Sequence, residues 1–392
     1  MRRWCGLSML LALTAGAQTL RDSAGVRLRS YRLGHLPAAT WRVSPAARVR
    51  IGGAEGTGPS ELAGVVGAAR LSDGRLVVVH GSTNELRIFD ASGRFERTIG
   101  RRGMGPSEFE GSIRFARTAD TLFVVDGPGR VQAFRPDGTL LRTMPRATMA
   151  GQSIVTWYGT LSDGASVVLG GTVPFDTTQR RPLAMFRVEV QRDAGSTLVA
   201  EVPGYEMVRV GGRNQPLFLS AAGRLAVRSD RACTGWTGTW EVSCWSPSGQ
   251  LYWRTRREVP AEMVREADRE MYREAFRRMN ATAPRDRIDA VTASFQFGEE
   301  RSRFGRLEMG PGNEVWISEF VLLEEMPLGR AGRQTPAQPV RWSVLGSDGR
   351  WVADIVLPRG FHLLEAGTDY VLGIERDADD VESVTMYAYQ RR

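Results

Sequence analysis

Short apolar runs alternate with polar turns along most of the chain, and this alternation recurs in copies of similar layout. The motif Gly-Pro-Ser-Glu begins at Gly58 and again at Gly105, 47 residues later. The apolar runs that follow lie at residues 76–79, 86–89 and 95–99 in the first copy, and at residues 122–125, 131–134 and 140–144 in the second. With the run directly after each motif, they make four short strands joined by tight turns. Such a unit is typical of one blade of a β-propeller.

The turns allow the blades to be counted, with the strands of a blade labelled a to d from the inside. Candidate a–b turns lie at residues 73–74, 119–120, 163–164, 222–223, 311–312 and 366–367. Candidate c–d turns lie at residues 92–93, 137–138, 194–195, 248–249 and 348–349. The six a–b turns predict six blades, although the divergent third and fourth repeats leave five or seven blades open.

The last repeat ends before its outer strand. Residues 48–52 precede the first Gly-Pro-Ser-Glu motif much as residues 96–100 precede the second. We therefore expect an N-terminal strand to complete the final blade, with Val49 and Met386 in paired strands, because an unpaired sheet edge recruits other chains. The predicted fold is an all-β, six-bladed β-propeller over residues 46–392, preceded by an N-terminal segment at residues 18–45.

One segment departs from the β pattern. Between blades four and five, residues with apolar side chains recur every fourth position, at Met263, Ala267, Met271, Ala275 and Met279. This spacing predicts an amphipathic helix over about residues 260–281, with a proline at its start and an asparagine at its end. We expect the methionine face to pack against the propeller, with partner binding as the alternative.

Composition narrows the class of protein. The chain has 392 residues, of which 42% are hydrophobic and 24% charged, which excludes a disordered chain, a coiled coil and a multi-span membrane protein. The net charge is +8, and every basic residue is arginine. The arginines are scattered among acidic residues and form no stripe, so nucleic-acid binding is not expected.

The N-terminus and the cysteines indicate an exported protein. Residues 1–17 have a short basic start, an apolar stretch and a small-residue end, as in a secretory signal peptide. After cleavage, Cys233 and Cys244 remain, at either side of a predicted hairpin tip. We expect a disulfide between them in the periplasm or outside the cell, with two free packed thiols as the alternative.

The repeats resemble a known family. The pattern Gly-x-Gly-x-Glu-Phe, strand, Asp-Gly-Arg, Val-x-Asp-x-x-x-Asn, strand-Phe-Asp-x-x-Gly is legible in residues 56–145 and weaker in residues 304–350. There the chain resembles NHL-type six-bladed β-propellers, which implies a platform for binding a ligand or a protein, with only some members being enzymes. The chain also departs from the pattern, since His80 replaces the Asp that is kept at Asp126.

The candidate ligand-binding residues lie in loops that should share one rim. In a four-stranded blade the b–c loop and the d–a connection emerge on the same side, and the helical insertion is also a d–a connection. His362 joins this set because blades one and six adjoin in a closed ring. The candidates are His80, Asn84, Asp126, Arg130, Glu319 and His362.

Three functions follow as hypotheses. The first is an exported, monomeric binding protein that recognises a protein, peptide or glycan on this rim, with no catalytic residue, metal ligand or cofactor assigned. The second is a metal-dependent lactonase or lyase with a divalent cation held by channel carboxylates and His80. The third is a structural component of an envelope assembly, docked through the helix. The chain has three His and no HExxH, phosphate-loop or nucleophile-elbow motif, so we expect binding rather than catalysis.

Overall fold

The computed structural model describes residues 19–23, 26–35, 37, 39–111, 113–127, 129–152, 155–172, 183–210, 212–323 and 335–391. The predicted signal peptide lies outside them. Three strands precede the first repeat: β1 Thr19–Ser23, β2 Val26–Tyr31 and β3 Ala39–Gly52. The described part of the chain is otherwise built of β-strands in groups of four, apart from two α-helices and two short 3-10 helices.

Blades 1 to 3 follow one another directly along the chain. Blade 1 comprises β4 Val65–Arg70, β5 Leu76–His80, β6 Glu85–Phe89 and β7 Phe95–Ile99. Blade 2 comprises β8 Arg114–Thr118, β9 Thr121–Val125, β10 Val131–Phe134 and β11 Leu140–Met144. Blade 3 comprises β12 Val155–Thr160, β13 Ser166–Thr172, β14 Leu183–Arg192 and β15 Gly195–Val210, and β16 Arg213–Pro216 extends it as a hairpin.

Blades 4 to 6 are separated once, by helices. Blade 4 comprises β17 Gly223–Arg228, β18 Arg231–Trp236, β19 Trp240–Trp245 and β20 Leu251–Arg257. The helices α1 Glu266–Met279 and α2 Arg285–Ala293 come next. Blade 5 comprises β21 Leu307–Met309, β22 Val315–Ser318, β23 Val340–Leu345 and β24 Trp351–Leu357, and blade 6 begins with β25 Phe361–Ala366, β26 Tyr370–Arg376 and β27 Glu382–Gln390.

The inner strands form a ring around a central channel. β4, β8, β12, β17, β21 and β25 contact one another in that order, and β25 in turn contacts β4. The five glycines of the predicted c–d turns all have positive φ, between 81° and 133°, which a residue without Cβ adopts at little cost. The predicted a–b turn at residues 222–223 was wrong, because Gly223 begins β17 and Ser229 makes that turn with φ 56°.

The N-terminal strands pair with the outer edges of blades 4 to 6. β2 lies parallel to β20, and the start of β3 lies parallel to β24. The rest of β3 runs antiparallel to β27, with Val49 opposite Met386. Residues before position 46, which the sequence analysis kept apart from the propeller, therefore contribute strands to its sheets.

The hydrophobic core lies between neighbouring blades. On β5, Val77 and Val79 pack towards blade 2, where they meet Leu122 and Val124. Leu76 and Val78, on the other face of the same strand, pack towards blade 6 and β3. Because successive side chains of a strand point to opposite faces, a strand covered on both faces is apolar throughout. All five residues of β5 are buried.

The predicted disulfide is present. Cys233 on β18 and Cys244 on β19 face each other in register, and they are bonded across 11 positions of sequence with a Cα–Cα distance of 4.1 Å. Both side chains are fully buried. Closing a loop of this length lowers the entropy of the unfolded chain and contributes about 2–3 kcal/mol to the free energy of unfolding.

The helical insertion differs from its prediction in extent and in its buried face. Two helices occupy it, and α1 begins at Glu266 rather than near residue 260. The Arg265 amide donates to the Asp268 carboxylate at this start, at 2.8 Å. Met263 and Met271 are exposed, while Tyr272 and Ala275 are buried. The predicted methionine face is therefore wrong at Met263 and Met271, whereas Ala275 and Met279 of the same stripe pack into the contact beside Tyr272.

Candidate functional site

The b–c loops and the d–a connections lie on one side of the ring, which we call the loop face. The helices dock there on the connection between blades 3 and 4. The Phe218 amide donates to the Gln296 carbonyl at 2.8 Å, and the Gly298 amide donates to the Phe218 carbonyl at 2.9 Å. Leu219, Val264, Tyr272 and Ala275 form the centre of this apolar contact. The loop face is therefore partly covered on the side of blades 4 and 5.

His80 ends β5 on the loop face, where it holds the first Gly-Pro-Ser-Glu loop in place. Its Nε2 accepts from the Ala63 amide at 3.0 Å, so the proton of the neutral ring is on Nδ1, which donates to the Thr83 hydroxyl at 2.8 Å. Burial of the ring, with the nearby Arg87 guanidinium, lowers the pKa of His80 to about 4. His80 is therefore neutral at physiological pH, and both ring nitrogens are engaged within the protein.

Asn84, Asp126 and Arg130 hold the second Gly-Pro-Ser-Glu loop. Asn84 has a φ of 58°. Its side-chain amide donates to the Phe109 carbonyl at 3.1 Å. Arg130 forms an ion pair with Asp126 at 2.6 Å, and it donates to the Met104 and Glu108 carbonyls at 2.6 and 2.9 Å. These three candidates converge, but they converge on the backbone of a loop of their own chain.

Glu319 and His362 lie elsewhere. Glu319 is exposed, and its Oε1 accepts from the Arg341 amide at 2.8 Å, which continues the pairing of β22 with β23. His362 is buried on β25 opposite Ile374. Three of the six candidates thus hold the second Gly-Pro-Ser-Glu loop, and the other three make contacts elsewhere. Their role as ligand-binding residues stays a prediction.

Other polar side chains meet inside the channel, at its loop-face end. They come from the inner strands of four consecutive blades: Arg114 on β8, Tyr158 on β12, Arg224 on β17 and Glu308 on β21. Tyr205, at the loop-face end of β15, lies with them, and all of these groups act electrostatically on the Tyr158 hydroxyl. We call this set the channel mouth.

The environment of Tyr158 describes the channel mouth. Its side chain is 40% exposed, yet desolvation raises its pKa, followed by the negative charge that Tyr205 would carry on ionisation. Tyr158 therefore lies in a narrow lumen that is open to solvent. In such a lumen charges are poorly screened, so interactions with a charged ligand are stronger than on an open surface.

The charged groups of the channel mouth are held in defined positions. Arg224 Nε donates to the Gly305 carbonyl at 2.8 Å. Arg306 forms an ion pair with Glu308 and donates to the Leu363 carbonyl at 2.8 Å. The Tyr205 ring packs edge-on against Phe186, with 5.1 Å between the ring centroids. Arg114 forms no side-chain hydrogen bond or ion pair with another described residue, so its guanidinium is available to a ligand.

Two pockets lie outside the channel. One, of about 380 Å³, is lined by Arg50, Arg359, Glu375, Asp377 and other residues at the loop-face side of blade 6. Within it Glu375 pairs with Arg50 at 2.7 Å and accepts from the Tyr387 hydroxyl at 2.8 Å. The other, of about 590 Å³, lies at the outer edge of blade 4 beside Tyr31 and Trp240. Each pocket is lined by both basic and acidic residues.

Sequence reasoning missed the channel mouth, although a signal for it exists. The candidate residues predicted from the sequence all lie in or next to the loops, whereas the residues of the channel mouth lie mainly on the apolar inner strands. Arg114, Tyr158 and Arg224 each interrupt or flank such a run. A polar residue within an otherwise apolar inner strand needs a polar or solvent-exposed environment, and the channel is the nearest one to an inner strand.

Two kinds of feature are absent from the residues that the structure describes. Within those ranges, no three His, Cys, Asp or Glu side chains are grouped as metal ligands would be. Nor does that part of the chain contain a helix with the length and apolar character needed to cross a membrane.

Residues 57–129 match a family described as a 6-bladed beta-propeller, DUF5128. Among solved structures, the chain is similar to a member of the duf4221 family from Bacteroides vulgatus, with 9% identity and a TM-score of 0.52 over 91% of this chain and 100% of that one. It is also similar to a Bacteroides fragilis protein described as exported (10% identity, TM-score 0.47, 93% and 99% covered) and to a gluconolactonase from Xanthomonas campestris (12%, 0.40, 84% and 87%).

The search of curated proteins found no match. Likeness at such low identity bears on the fold alone, since one fold hosts many functions. The resemblance to NHL-type repeats stays a prediction. At the level of fold the prediction is confirmed: the chain is an all-β protein of the propeller type, and its first repeats match a six-bladed propeller family.

Proposed function

We propose that this chain is an exported binding protein that takes an anionic group of its ligand into the channel mouth. The observation that carries the proposal is that Arg114, Tyr158, Arg224 and Glu308 lie on the contacting inner strands of four consecutive blades, with the other three charged groups near the Tyr158 hydroxyl. Groups that converge from several inner strands on the loop face are the ordinary arrangement of a binding site.

The chemistry of the channel mouth favours a carboxylate. A guanidinium presents two parallel N–H donors that match a carboxylate, and Arg114 is available for such a pair. Tyr158 and Tyr205 are exposed beside it, and they offer flat apolar surface and hydroxyl donors to the rest of the ligand. Acidic glycans and acidic peptides both carry such a group, so they are the ligand classes to test first.

Two features support export and ring closure as parts of the proposal. The Cys233–Cys244 disulfide is stable in an oxidising compartment, which fits a periplasmic or secreted protein released from a signal peptide at residues 1–17. The antiparallel pairing of β3 with β27 supports β3 as the outer strand of blade 6. The position of α1 and α2 between β20 and β21 in the chain supports the helices as a d–a insertion between blades 4 and 5.

The test is a binding screen with the mature protein. Acidic and neutral oligosaccharides and peptides are arrayed, and the affinity of each hit is measured by calorimetry. We expect hits among the acidic members. Arg114→Gln should weaken them about 10- to 100-fold, because a hydrogen bond to a charged group contributes about 1.5–3 kcal/mol.

The matched control is Arg94→Gln, an exposed arginine on the c–d turn of blade 1, outside the channel. It should leave the affinity unchanged. Equal affinity of wild type and Arg114→Gln for every hit would overturn the channel mouth as the site. A stoichiometric divalent metal, together with lactone hydrolysis that a chelator removes, would instead favour the metal-dependent hydrolase or lyase.

A further inference from the structure

A second group of charged residues lies at the other end of the channel. Arg70, Arg117, Arg228 and Glu365 each stand within two residues of the a–b turn of their blade, on β4, β8, β17 and β25. They come from blades 1, 2, 4 and 6. Arg117 follows Arg114 by three positions and Arg228 follows Arg224 by four, which is about 10–13 Å along a strand. We call this group the channel base.

Glu365 is the centre of the channel base. It accepts from the Arg117 guanidinium at 2.6 Å, from the Tyr370 hydroxyl at 2.9 Å and from the Arg70 amide at 3.0 Å. The Arg228 guanidinium lies 4.0 Å from the same carboxylate. The Arg70 guanidinium lies over the Tyr370 ring, 5.2 Å from its centroid. Two guanidinium groups therefore lie at one carboxylate, and a third, that of Arg70, lies over the Tyr370 ring whose hydroxyl donates to the same carboxylate.

The acidic residues of the adjoining turns are engaged elsewhere. Asp73 pairs with Arg75 at 2.8 Å, and Asp120 accepts from the Ser72 amide at 2.9 Å. Asp230 accepts from Asn313 at 2.9 Å. Among the described residues, the channel base therefore carries three positive charges against one negative charge, in a confined space where the Glu365 side chain is only 8% exposed.

Two guanidinium N–H groups of the channel base have no acceptor. The Nε atoms of Arg70 and Arg117 are buried and form no hydrogen bond with a described residue. A buried donor without an acceptor costs about 1–3 kcal/mol, and neighbouring like charges add to the cost. An anion with several oxygen atoms, bound between these arginines, would accept from both donors and neutralise the excess charge.

We propose that the channel base binds a small dianionic oxyanion of the size of phosphate or sulfate. Its net charge of +2 matches a dianion, and its donors come from three blades, so they can reach different oxygen atoms of a tetrahedral group. Arginine is suited to such oxyanions because its donors have fixed geometry. The bound ion would link blades 1, 2 and 4 across the channel. This site lies below the channel mouth and does not depend on the function proposed there.

The test is calorimetric titration of the full mature protein with inorganic phosphate and with inorganic sulfate, at constant ionic strength set with sodium chloride. We expect saturable binding with one site per chain and a rise in the melting temperature that follows the same affinity. Arg70→Gln is the first variant, because its guanidinium has no hydrogen bond to lose within the described protein. It should weaken binding at least about 10-fold.

Glu365→Gln tests the charge argument in the opposite direction. It keeps the size of the side chain and one acceptor oxygen but removes the negative charge of Glu365 from the channel base, so phosphate and sulfate should bind more tightly. Arg135→Gln, an exposed arginine on the c–d turn of blade 2, is the matched control and should bind like wild type. Circular dichroism shows that each variant is folded before it is titrated.

Three outcomes would overturn the proposal: no saturable binding, an equal effect of chloride, or unchanged affinity in both Arg70→Gln and Glu365→Gln. Titration with glycerol phosphate separates two sources of the same chemistry. Binding of the inorganic ion alone supports a site for the free ion, and binding of the monoester as well supports a site for a phosphate group of a larger molecule. Either result leaves the test of the channel mouth unaffected, since that test uses Arg114→Gln.

Discussion

The polar residues of the repeated loops act as hydrogen-bonding partners of the backbone. His80 accepts a hydrogen bond from the Ala63 amide, and Arg87 donates to the Pro59 and Glu61 carbonyls. Arg130 donates to carbonyls of the corresponding loop before blade 2. Loops have few backbone partners of their own, and a buried amide or carbonyl must be paired. Each Gly-Pro-Ser-Glu loop is therefore held by side chains from the b–c region of the blade it precedes, and the second loop is also held by Asn84 of blade 1.

Stability should depend on pH through His80. The pKa of His80 is about 4 in the folded protein, because burial of the ring and then the nearby Arg87 guanidinium disfavour its charged form, and it is about 6.5 in an unfolded chain. The neutral ring favours the folded state above pH 6.5, and this contribution is lost as pH falls towards 4. The loss amounts to roughly 3 kcal/mol of unfolding free energy.

Chemical denaturation between pH 7 and pH 4 measures this loss. His80→Gln keeps an acceptor near Ala63 but does not titrate in this range. The variant should be less stable than wild type at pH 7 and should show a smaller decline towards pH 4. An equal decline in both proteins would show that other groups account for the pH dependence.

The sequence allowed the side of the molecule that carries these residues to be predicted, but not what they contact. Their position in b–c loops follows from the order of the strands. Their engagement depends on loops from the neighbouring repeat, such as the Phe109 carbonyl that pairs with Asn84 25 positions away. The partners of the channel base are up to 248 positions apart, and no local pattern reports such a contact.

At the scale of elements, the helical insertion is held by aromatic rings. Phe218, Tyr272 and Phe295 form a mutual cluster, with centroid distances of 4.6 Å for Phe218–Phe295 and 5.1 Å for Phe218–Tyr272. The four-residue spacing of apolar positions predicted a helix, and a helix is present. The spacing could not predict the buried face, because Met271 and Tyr272 are adjacent in the helix. Which of them is buried depends on the shape of the propeller surface against which the helix packs.

Neighbouring positions of α1 provide a matched pair of substitutions. Tyr272 is 4% exposed and Met271 is 50% exposed. Tyr272→Ala should lower the free energy of unfolding of the helical insertion by about 3–5 kcal/mol, because it removes a buried ring from the aromatic cluster. Met271→Ala should change it by no more than about 0.5 kcal/mol. Amide hydrogen exchange of α1 measures both effects, and equal exchange rates in the two variants would contradict this packing.

At the scale of the whole molecule, the repeats and their turns predicted the architecture well. Apolar runs separated by glycine-containing turns predict short strands, so the four-strand units could be recognised in the sequence without long-range information. The N-terminal strands were partly missed. β2 pairs with blade 4 through a parallel contact with β20, and its Arg29 and Tyr31 are buried there. The alternation of residues 26–31 would suit any sheet edge, so it does not specify this one.

The pairing of β3 with β27 leads to a prediction about the assembled ring. β3 covers the outer edge of β27, and its Val49 and Ile51 are buried with Val384 and Met386 between blades 6 and 1. Removing β3 would leave an unpaired edge and expose this apolar contact, which favours association with other chains.

A variant that begins at Gly53 should therefore aggregate or lose its cooperative melting transition. A variant that begins at Ala39 lacks β1 and β2 but keeps β3, and it is the control, expected to melt cooperatively as a monomer. Light scattering and thermal melts followed by circular dichroism distinguish the two variants. A monomeric, cooperatively melting protein that starts at Gly53 would show that the ring is stable without β3, because five complete blades and the three-stranded blade 6 would then suffice to bury the core.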